Sequence, residues 1–562
     1  MKRMVGYTRG DLVEKKWVVK HDCRGMDTNE IIDTILSDRG VEDVSALLYP
    51  DDECLIPFEE MKNIKRAADI ITKNIENDGS FFVHFDTDTD GVSAGSIAVR
   101  WLRNHTDRVY YGINQGKEHG VANLDLSLLD GIDVLWIVDS IEIRMFPYER
   151  ILAAGVKHII ITDHHLVSKG MQKQMERTGK ITLVSSAVDY PNPALSGSAT
   201  TWKLCAYCDW LELDDYSDDL VDLACTGLIA DMVNVGVDSP ENRYIAYKGF
   251  CNQVNPALKK INGSYEFNSQ AVSFGIAPLV NASNRMNENE KAVELFLSEK
   301  PKKITKLVND LKTCKEYQNM EIADVMPDLE EQAESQMDKK VMFFFVETNA
   351  EVKGLIGNKL LEKYQRPVIV LSNRISVNEE TGEVEKHEFF GSARAVGVHS
   401  FKEYMDNTEM CGTGGHENAC GVWLDAEVLE DFQNALEDAL KDVHFVQETT
   451  VDIQINQDQI TEDLIRQLKM LNRISGQGWP QISVMVSGIT DYQVGAMSNM
   501  KHLKLIADEG KLLFIKWNFG GDWDQFDGPV SAIGTLDSGF FGRSYYRQLI
   551  MSDFKVDNSE YL

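Results

Sequence analysis

Five short apolar runs between residues 81 and 184 are the feature that most restricts the fold of this chain. The runs are 81–83, 109–111, 134–138, 158–161 and 181–184. Stretches with helical character separate them, for example at 124–129 and 147–154. Short runs rich in β-branched and aromatic residues that alternate with helices indicate an α/β domain, built on a parallel sheet whose strands are buried on both faces.

A cluster of polar residues directly follows the first run. The segment from His84 to Gly91 contains Asp86, Asp88 and Asp90 at alternate positions. Alternate side chains of an extended chain point the same way, so these aspartates can share one face with His84. Carboxylates packed that closely repel one another unless cations lie between them, so the segment predicts a divalent-metal site. An acidic loop or a helix cap is the plainer interpretation.

Further metal-competent side chains follow two other runs. Asp139 comes directly after the third run, and Asp163, His164 and His165 follow the fourth. The carboxyl ends of parallel strands lie at one edge of a sheet, where doubly wound sheets bind ligands. We therefore expect these clusters to converge on one site. Asp231 ends an apolar segment and is either a helix-end carboxylate or a further ligand.

The overall charge restricts the substrate surface. The chain of 562 residues has a formal net charge of −32, whereas phosphate binding normally depends on lysine and arginine. The charge therefore argues against a general nucleic-acid-binding surface, and a polyanionic substrate requires local positive charge from ions and a few bases. A small anionic substrate is also compatible.

Cysteine usage and hydropathy indicate a cytoplasmic protein. The nine cysteines are an odd number spread along the chain, which argues against disulfides and for a reducing compartment. Cys205 and Cys208 form a close pair that helix packing explains better than zinc. The N-terminus lacks the apolar core of a signal peptide, and no apolar run approaches the roughly 18 residues that span a bilayer, so we expect no membrane association.

The motifs together resemble the DHH phosphoesterase superfamily, named for its Asp-His-His triplet. The four motifs match, in order, His84 with Asp88 and Asp90, then Asp139, then Asp163-His164-His165, and then Asp231. From about residue 60 to near its end the chain is similar to the RecJ branch of this superfamily.

The resemblance implies a site for two ions, Mn²⁺ or Mg²⁺. The implied metal ligands are His84, Asp88, Asp90, Asp139, His164 and Asp231, with Asp139 bridging the ions. Asp163 would orient a histidine and His165 would contact the scissile phosphate, which makes Asp139, Asp163, His164 and His165 the catalytic set. Asp86 is expected to face away and to pack or cap locally. Mixed carboxylate and imidazole ligands suit both ions, and imidazole favours Mn²⁺.

Two segments that each begin with a glycine, 391–394 and 412–419, resemble the DHHA1 domain of the same superfamily. The residues implied to bind substrate are Ser392, Arg394, Gly414, Gly415 and His416, together with Arg285 from the segment 277–286. Glycines let a backbone approach a phosphate closely, and Arg394 and His416 can donate to its oxygens. A flexible turn at 412–415 is the plainer alternative.

The C-terminal region resembles an oligonucleotide-binding (OB) fold, because predicted strands there carry bases and aromatic residues. The bases are Lys501, Lys504, Lys511, Lys516, Arg543 and Arg547, and the aromatic residues are Trp517, Phe519, Trp523, Phe540, Phe541, Tyr545 and Tyr546. This combination suits stacking on single-stranded nucleic acid. Most aromatic residues of a small barrel are core, so we expect two or three of them to contact bases.

We therefore predict an α/β protein in which a parallel-sheet DHH domain is joined by long helices to a smaller α/β DHHA1 domain and followed by an OB-like β-barrel. The predicted segments are an N-terminal extension over 1–60, a DHH catalytic domain over 61–245, a helical connector over 246–338, a DHHA1 domain over 339–448 and an OB-like domain over 449–562. The N-terminal extension is expected to contain a capped helix.

The resemblance implies a metal-dependent exonuclease on single-stranded DNA, in DNA repair, recombination or replication. The 5′→3′ polarity and the 5′-mononucleotide products are implied by the resemblance alone. Single-stranded DNA is the expected partner, with a helicase or a single-strand-binding protein as a further candidate. The alternatives are a phosphodiesterase for short oligonucleotides or cyclic dinucleotides, and a RecJ-like scaffold that binds nucleic acid without cutting.

Three segments depart from the family pattern. The second motif has Ser140 and Ile141 after its aspartate and lacks a usual glycine. Residues 113–115 lack the arginine of a Pro-Asn-Arg segment, and Arg285 follows an altered spacing. The predicted metal ligands remain, so these departures concern substrate preference and processivity.

Overall fold

The computed structural model describes residues 13–212, 214–348, 350–377, 384–498, 500–521, 523, 526–541 and 544–556. The chain forms two compact units, a larger one of Val19–Lys315 with Val451–Leu562, and a smaller one of Glu316–Thr450 with the N-terminal residues up to Val18. Arg543 and the side chain of Phe541, both predicted to lie in a nucleic-acid-binding region, are outside the described part.

The N-terminal segment contributes to the core of the larger unit. Its elements are β1 (Val13–Asp22), which begins in the smaller unit, α1 (Thr28–Asp38), α2 (Val44–Leu48) and α3 (Ile64–Glu76). The predicted capped helix is confirmed as α1, because Asp27 accepts a hydrogen bond from Glu30 N at 3.0 Å and the Glu30 carboxylate accepts one from Asp27 N at 2.8 Å. Ile31 and Ile35 are buried in the same apolar cluster as Trp136.

A five-stranded parallel sheet forms the centre of the larger unit, as the apolar runs predicted. The elements are β2 (Phe81–Phe85), α4 (Thr89–His105), β3 (Val109–Ile113), β4 (Val134–Val138), α5 (Met145–Ala153), β5 (His158–Asp163), α6 (Lys169–Thr178) and β6 (Ile181–Ser185). The strand order is β3-β2-β4-β5-β6, and each neighbouring pair is parallel. Val83 and Trp136 lie in one apolar cluster while Leu135 and Ile161 lie in another, so both faces are buried. The helix expected at 124–129 is a 3₁₀-helix, Leu126–Leu129.

Helices follow the sheet and lead out of the larger unit. They are α7 (Gly197–Glu212), α8 (Val221–Ala230), α9 (Pro240–Cys251), α10 (Pro256–Asn262), a π-helix (Ala271–Ile276), α11 (Ala277–Arg285), α12 (Asn289–Leu297) and α13 (Pro301–Glu334). α13 continues through Pro327 for 34 residues and crosses from the larger to the smaller unit after Lys315. It is the long helix that the sequence indicated for this stretch.

The smaller unit contains a second, mixed sheet. Its elements are β7 (Met342–Phe345), α14 (Lys353–Tyr364), β8 (Val368–Val377), β9 (Val384–Arg394), α15 (Phe401–Asp406), β10 (Gly412–His416), β11 (Ala419–Asp425) and α16 (Leu429–Leu440). The order is β10-β11-β9-β8-β7, with β7 and β8 parallel and the other pairs antiparallel. Apolar clusters cover both faces, one containing Phe343 and Phe432 and the other containing Phe344 and Leu360.

The C-terminal strands form an extended sheet. The elements are β12 (Phe445–Ile455), α17 (Glu462–Asn472), β13 (Val484–Ile489), β14 (Gln493–Met497), β15 (His502–Ala507), β16 (Leu512–Lys516), β17 (Val530–Phe541) and β18 (Ser544–Val556). The order β1-β12-β13-β17-β18-β16-β15-β14 is open, and the pairings of the described residues do not join β14 to β1. The expected OB-like barrel is therefore not confirmed, since β1 and β14 are the two edges of the sheet formed by the described residues. No described helix combines the length and the apolar character that a membrane crossing requires.

Candidate metal centre

The segments that follow three neighbouring strands meet at one edge of the parallel sheet. Phe85 of β2 is paired with Val138 of β4, and Val138 is paired with Thr162 of β5, so the chain leaves these strands side by side. Asp231 reaches the same place as the residue that ends α8. A cavity of about 350 Å³ lies there. The predicted site residues that line it are Asp88, Asp139, His164, His165, Asp231 and Arg285.

Carboxylates and imidazoles form three overlapping groups in this cavity. Within each group the ligand atoms lie within 4.8 Å of one another, and the groups are Asp86, Asp88 and Asp139; Asp139, His164 and His165; and Asp90, His164 and Asp231. His164 Nε2 is 3.3 Å from Asp139 Oδ1 and 3.6 Å from Asp231 Oδ2. Because Asp139 and His164 each belong to two groups, the arrangement can hold two neighbouring cations.

The pKa values of the carboxyl groups show how unfavourable this crowding is without a cation. Burial, followed by repulsion from Asp90 and Asp88, raises the pKa of Asp139 well above its usual value. Burial and the same two neighbours raise the pKa of Asp231 to about 8, and burial with repulsion from Asp86 and Asp90 raises that of Asp88 to about 6. Asp139 Oδ1 is also buried without a hydrogen-bond donor. These residues therefore fit divalent cations, which would remove the repulsion and use the unpaired oxygen.

His84 lies at the end of β2 and is oriented by a backbone carbonyl. Its Nε2 is 3.2 Å from Gly120 O, a contact in which Nε2 is the donor, and its buried Nδ1 has no hydrogen-bond partner. Burial lowers the pKa of His84 to about 4, so the ring is neutral near pH 7. A neutral imidazole with one nitrogen held by a carbonyl is suited to metal ligation. His84 lies outside the three groups described above.

Asp163 holds the loop that carries the two histidines. Its Oδ1 accepts hydrogen bonds from His164 N at 2.7 Å, His165 N at 2.8 Å and His165 Nδ1 at 2.8 Å, and its Oδ2 accepts one from Ile141 N at 2.8 Å. The bond to Asp163 raises the pKa of His165 to about 9. Burial raises the pKa of Asp163, but the hydrogen bonds from His165 and the charges of His165 and His164 together outweigh it, so the pKa is lowered. This arrangement agrees with the orienting role that the resemblance implied.

The expectation that Asp86 faces away from the site is wrong. Asp86 lies in the short segment between the end of β2 at Phe85 and the start of α4 at Thr89, and its ligand atom is within 4.8 Å of those of Asp88 and Asp139. This agrees with the alternation that placed the aspartates on one face, whereas the family motif had left Asp86 out. Asp88 caps the helix by accepting a hydrogen bond from Gly91 N at 3.0 Å. The Asp86 carboxylate turns into the cavity.

Four cavity residues were missed by the sequence analysis. Lys117 and His119 come from the loop after β3, and Asn281 and Asn284 come from α11. Thr89 Oγ1 donates to Asn281 Oδ1 at 3.1 Å, which ties α11 to the aspartate-rich segment. The loop residues have no periodic pattern in sequence. The two asparagines lie in the segment 277–286, which resembles RecJ, and this resemblance was the only sequence signal that could have assigned them to the site.

Glycines allow the carboxylates to approach the backbone closely. A Cβ on Gly197 would lie 2.4 Å from Asp139 Oδ1, and one on Gly227 would lie 2.2 Å from Asp90 Oδ1. The Gly197 N–H also donates to Asp90 Oδ2 at 2.7 Å, at the N-terminus of α7. Asp139 itself has φ of 53°, a left-handed conformation that is unfavourable for a residue with a side chain.

In the smaller unit, the residues predicted to bind substrate are brought together by strand register. Across β10, β11 and β9, Gly414 is paired with Gly421, which is paired with Ser392; His416 is paired with Ala419, which is paired with Arg394. Arg394 Nη1 donates to Ser392 Oγ at 2.7 Å and Arg394 Nε donates to Asn358 Oδ1 at 2.9 Å. Gly415 has φ of 119°, which favours glycine. The 412–415 segment is thus a strand rather than a flexible turn.

Comparisons with known proteins find similar sequences and folds over most of the chain. No family model matches the chain. It is 25% identical over 558 residues, 91% of the chain and 92% of the relative, to YorK of the SPbeta prophage in Bacillus subtilis, a protein named for single-strand DNA-specific exonuclease activity. It is 26% identical over 555 residues to the single-stranded-DNA-specific exonuclease RecJ of the same bacterium, covering 94% of the chain and 68% of that protein. The crystal structure of Thermus thermophilus RecJ in complex with Mn²⁺ has the same fold, with a TM-score of 0.75 at 20% identity over 97% of this chain and 80% of that one.

The fold and the strand-end cluster of aspartates and histidines are those that the resemblance to the DHH superfamily implied. Within that superfamily the chain is similar to RecJ proteins over most of its length.

Substitution of Gly197 by alanine should weaken metal binding by about tenfold or more, because the new methyl group would displace Asp139. Titration of Mn²⁺ followed by thermal denaturation measures this effect. Gly170→Ala is the matched control, since the nearest atom to its Cβ would be Ser168 Oγ at 3.8 Å. Equal Mn²⁺ affinities in the two variants would contradict the assigned role of Gly197.

Metal stabilisation should increase from pH 6 to pH 8. The raised pKa values of Asp88, about 6, and Asp231, about 8, mean that the folded site binds protons more tightly than the unfolded chain. Without cations the free energy of unfolding therefore falls as the pH rises through this range. Cations compete with these protons, so the rise in melting temperature caused by Mn²⁺ should be larger at pH 8. Asp139→Asn should abolish most of the difference, and equal shifts at both pH values would oppose this account.

Proposed function

We propose that this protein is a metal-dependent exonuclease that hydrolyses phosphodiester bonds of single-stranded DNA. The observation that carries the proposal is the set of overlapping carboxylate and imidazole groups that share Asp139 and His164. The exonuclease names of the RecJ and YorK relatives, which the chain matches over most of its length, support single-stranded DNA as the substrate.

The proposed cofactors are two Mn²⁺ or Mg²⁺ ions. Structures of Thermus thermophilus RecJ contain each of these ions, which supports the choice. The residues that would hold them are His84, Asp88, Asp90, Asp139, His164 and Asp231. The chemistry that such ions supply is neutralisation of phosphate charge and activation of water.

The side chains around the ions would bind and orient the substrate. His165 would donate a hydrogen bond to the scissile phosphate, since Asp163 holds its Nδ1 and keeps the ring in one orientation. Arg285 lines the same cavity and adds positive charge where the carboxylates would otherwise repel a polyanion. This local charge reconciles a nucleic-acid substrate with a strongly acidic chain.

We propose that other parts of the chain bind the DNA at a distance from the metal centre. Ser392, Arg394, Gly414, Gly415 and His416 would bind substrate in a DHHA1 domain over 339–448, which a catalytic domain over 61–245 precedes. The segment 449–562 would serve as an OB-like nucleic-acid-binding domain. Trp517, Phe540 and Tyr545 suit stacking, because their rings are exposed, whereas Phe519 and Trp523 pack against the core.

The proposal also covers the direction of cleavage and the cellular context. The resemblance to RecJ favours 5′→3′ cleavage with 5′-mononucleotide products in DNA repair, recombination or replication. It also favours a cytoplasmic location and a helicase or a single-strand-binding protein as a partner.

Asp139→Asn should lower the rate of DNA hydrolysis by about a thousandfold, because loss of metal-dependent charge neutralisation costs several kcal/mol at the transition state. The measurement uses single-stranded DNA labelled at the 5′ or the 3′ end with Mn²⁺ present. Early release of a labelled mononucleotide from the 5′ end supports 5′→3′ polarity. Asp130→Asn, an exposed aspartate outside the cavity, is the control. Intact DNA with the wild-type protein would reject the proposed activity.

Trp517→Ala should weaken binding of long single-stranded DNA by about 1–3 kcal/mol if the ring stacks on a base. Hydrolysis of a dinucleotide should be unchanged, because the substitution leaves the metal centre intact. Trp210→Ala removes another exposed tryptophan of the larger unit and is the matched control. A point substitution is preferred to removal of the C-terminal segment, because Ile453 and Leu464 of that segment lie in the same apolar cluster as Trp136. Removal of the segment would therefore expose the core of the larger unit. Unchanged affinity for long DNA would exclude Trp517 from the binding surface.

A further inference from the structure

The loop after β3 is attached to the metal centre by hydrogen bonds from three directions. Gly120 N donates to Ser140 Oγ at 2.9 Å, and Gly120 O accepts from Asn114 Nδ2 at 2.8 Å and lies 3.2 Å from His84 Nε2. Ser140 is one of the residues that depart from the family pattern, and Asn114 belongs to the segment that lacks the family's arginine. Two segments that depart from the family pattern are therefore both hydrogen-bonded to Gly120 at the site.

The loop places His119 beside the cavity. His119 Nδ1 donates to Asp86 Oδ1 at 2.9 Å, and Ser140 Oγ donates to the same oxygen at 3.1 Å. The His119 ring centre is 5.0 Å from that of His165. The side chain is 41% exposed, so a ligand in the cavity can reach it.

The two imidazoles are held in the same way. Asp163 binds His165 Nδ1 at 2.8 Å, and Asp86 binds His119 Nδ1 at 2.9 Å. In both pairs the carboxylate accepts a hydrogen bond from Nδ1–H and fixes the ring orientation, so the doubly protonated ring presents Nε2–H to a ligand. The cavity therefore has two neighbouring imidazole donors, each supported by an aspartate.

We propose that His119 is a catalytic residue that donates a hydrogen bond from Nε2 to a substrate phosphate oxygen, and that Asp86 is its positioning residue. The inference rests on the proposed exonuclease function. With His165 at one phosphate oxygen, His119 supplies a second donor from the opposite loop. It provides a contact in a segment that lacks the family's arginine.

The competing account makes Asp86 a metal ligand and His119 its support. Asp86 has a ligand atom within 4.8 Å of those of Asp88 and Asp139, so this account is concrete. The two accounts differ in what saturating metal can restore. A metal-supporting histidine loses its effect when Mn²⁺ is saturating, whereas a phosphate-contacting histidine does not.

The experiment compares wild type, His119→Ala, His119→Gln, Asp86→Asn and the double variant of His119→Ala with Asp86→Asn. Steady-state hydrolysis of a short single-stranded oligonucleotide is measured over a range of Mn²⁺, with binding of the same oligonucleotide in Ca²⁺ as a second readout. His21→Ala is the matched control, since His21 Nε2 pairs with Asp38 Oδ1 at 2.9 Å elsewhere in the larger unit.

His119→Ala should lower kcat/KM by about 10- to 100-fold at saturating Mn²⁺, the range for loss of a hydrogen bond to a charged group. His119→Gln, which keeps an N–H donor, should recover part of the loss. Asp86→Asn should give a similar defect, and the double variant should be little worse than either single one. Binding in Ca²⁺ should weaken several-fold in His119→Ala, with an unchanged effect of Mn²⁺ on melting temperature.

Recovery of His119→Ala to the wild-type rate at high Mn²⁺, or wild-type kinetics throughout, would overturn the inference while leaving the exonuclease activity intact. Intact DNA with the wild-type protein would instead reject the proposed function. In that case the binding measurement in Ca²⁺ still tests the role of His119. Equal affinities of wild type and His119→Ala for the oligonucleotide would overturn the proposed phosphate contact.

Discussion

Repulsion among buried carboxylates at one edge of the parallel sheet is the constraint on which the rest of this structure depends. Asp88, Asp139 and Asp231 all have raised pKa values, first because burial disfavours their charge and then because neighbouring carboxylates repel them. Crowding of these charges has a free-energy cost that packing elsewhere in the fold or bound cations must offset. A divalent cation turns the same repulsion into binding free energy, so metal affinity and stability are coupled.

The surrounding backbone is adapted to this cluster. Gly197 and Gly227 lie so close to carboxylate oxygens that side chains there would collide with them. Asp139 is held in a left-handed conformation while its amide donates to Thr162 O at 2.8 Å, so the neighbouring strand fixes an otherwise unfavourable geometry. Strain of this kind persists only where the surroundings determine the conformation. The metal centre is therefore a property of several elements and not of one motif.

The distribution of charge explains how so acidic a protein can act on a polyanion. A net charge of −32 repels nucleic acid in general, and productive contact is restricted to places where cations gather. In the larger unit the proposed places are the metal positions with Arg285 and Lys117, and we propose that the two histidines supported by aspartates add directed donors. Under this proposal the acidic remainder of the chain disfavours binding of nucleic acid elsewhere.

The sequence by itself determined the parallel sheet and the edge at which the site lies, because β-rich runs alternated with helices and the ends of parallel strands lie at one edge. Asp139 and Asp163 could be found in this way since each ends or directly follows a strand. Only the tertiary structure decided that Asp86 enters the site, because the alternation of side chains allowed this position and the family motif left it out. It alone decided that His119 joins the site, since an aperiodic loop is placed by long-range hydrogen bonds. The same holds for the open C-terminal sheet, where β1 lies beside β12 through contacts between distant parts of the chain.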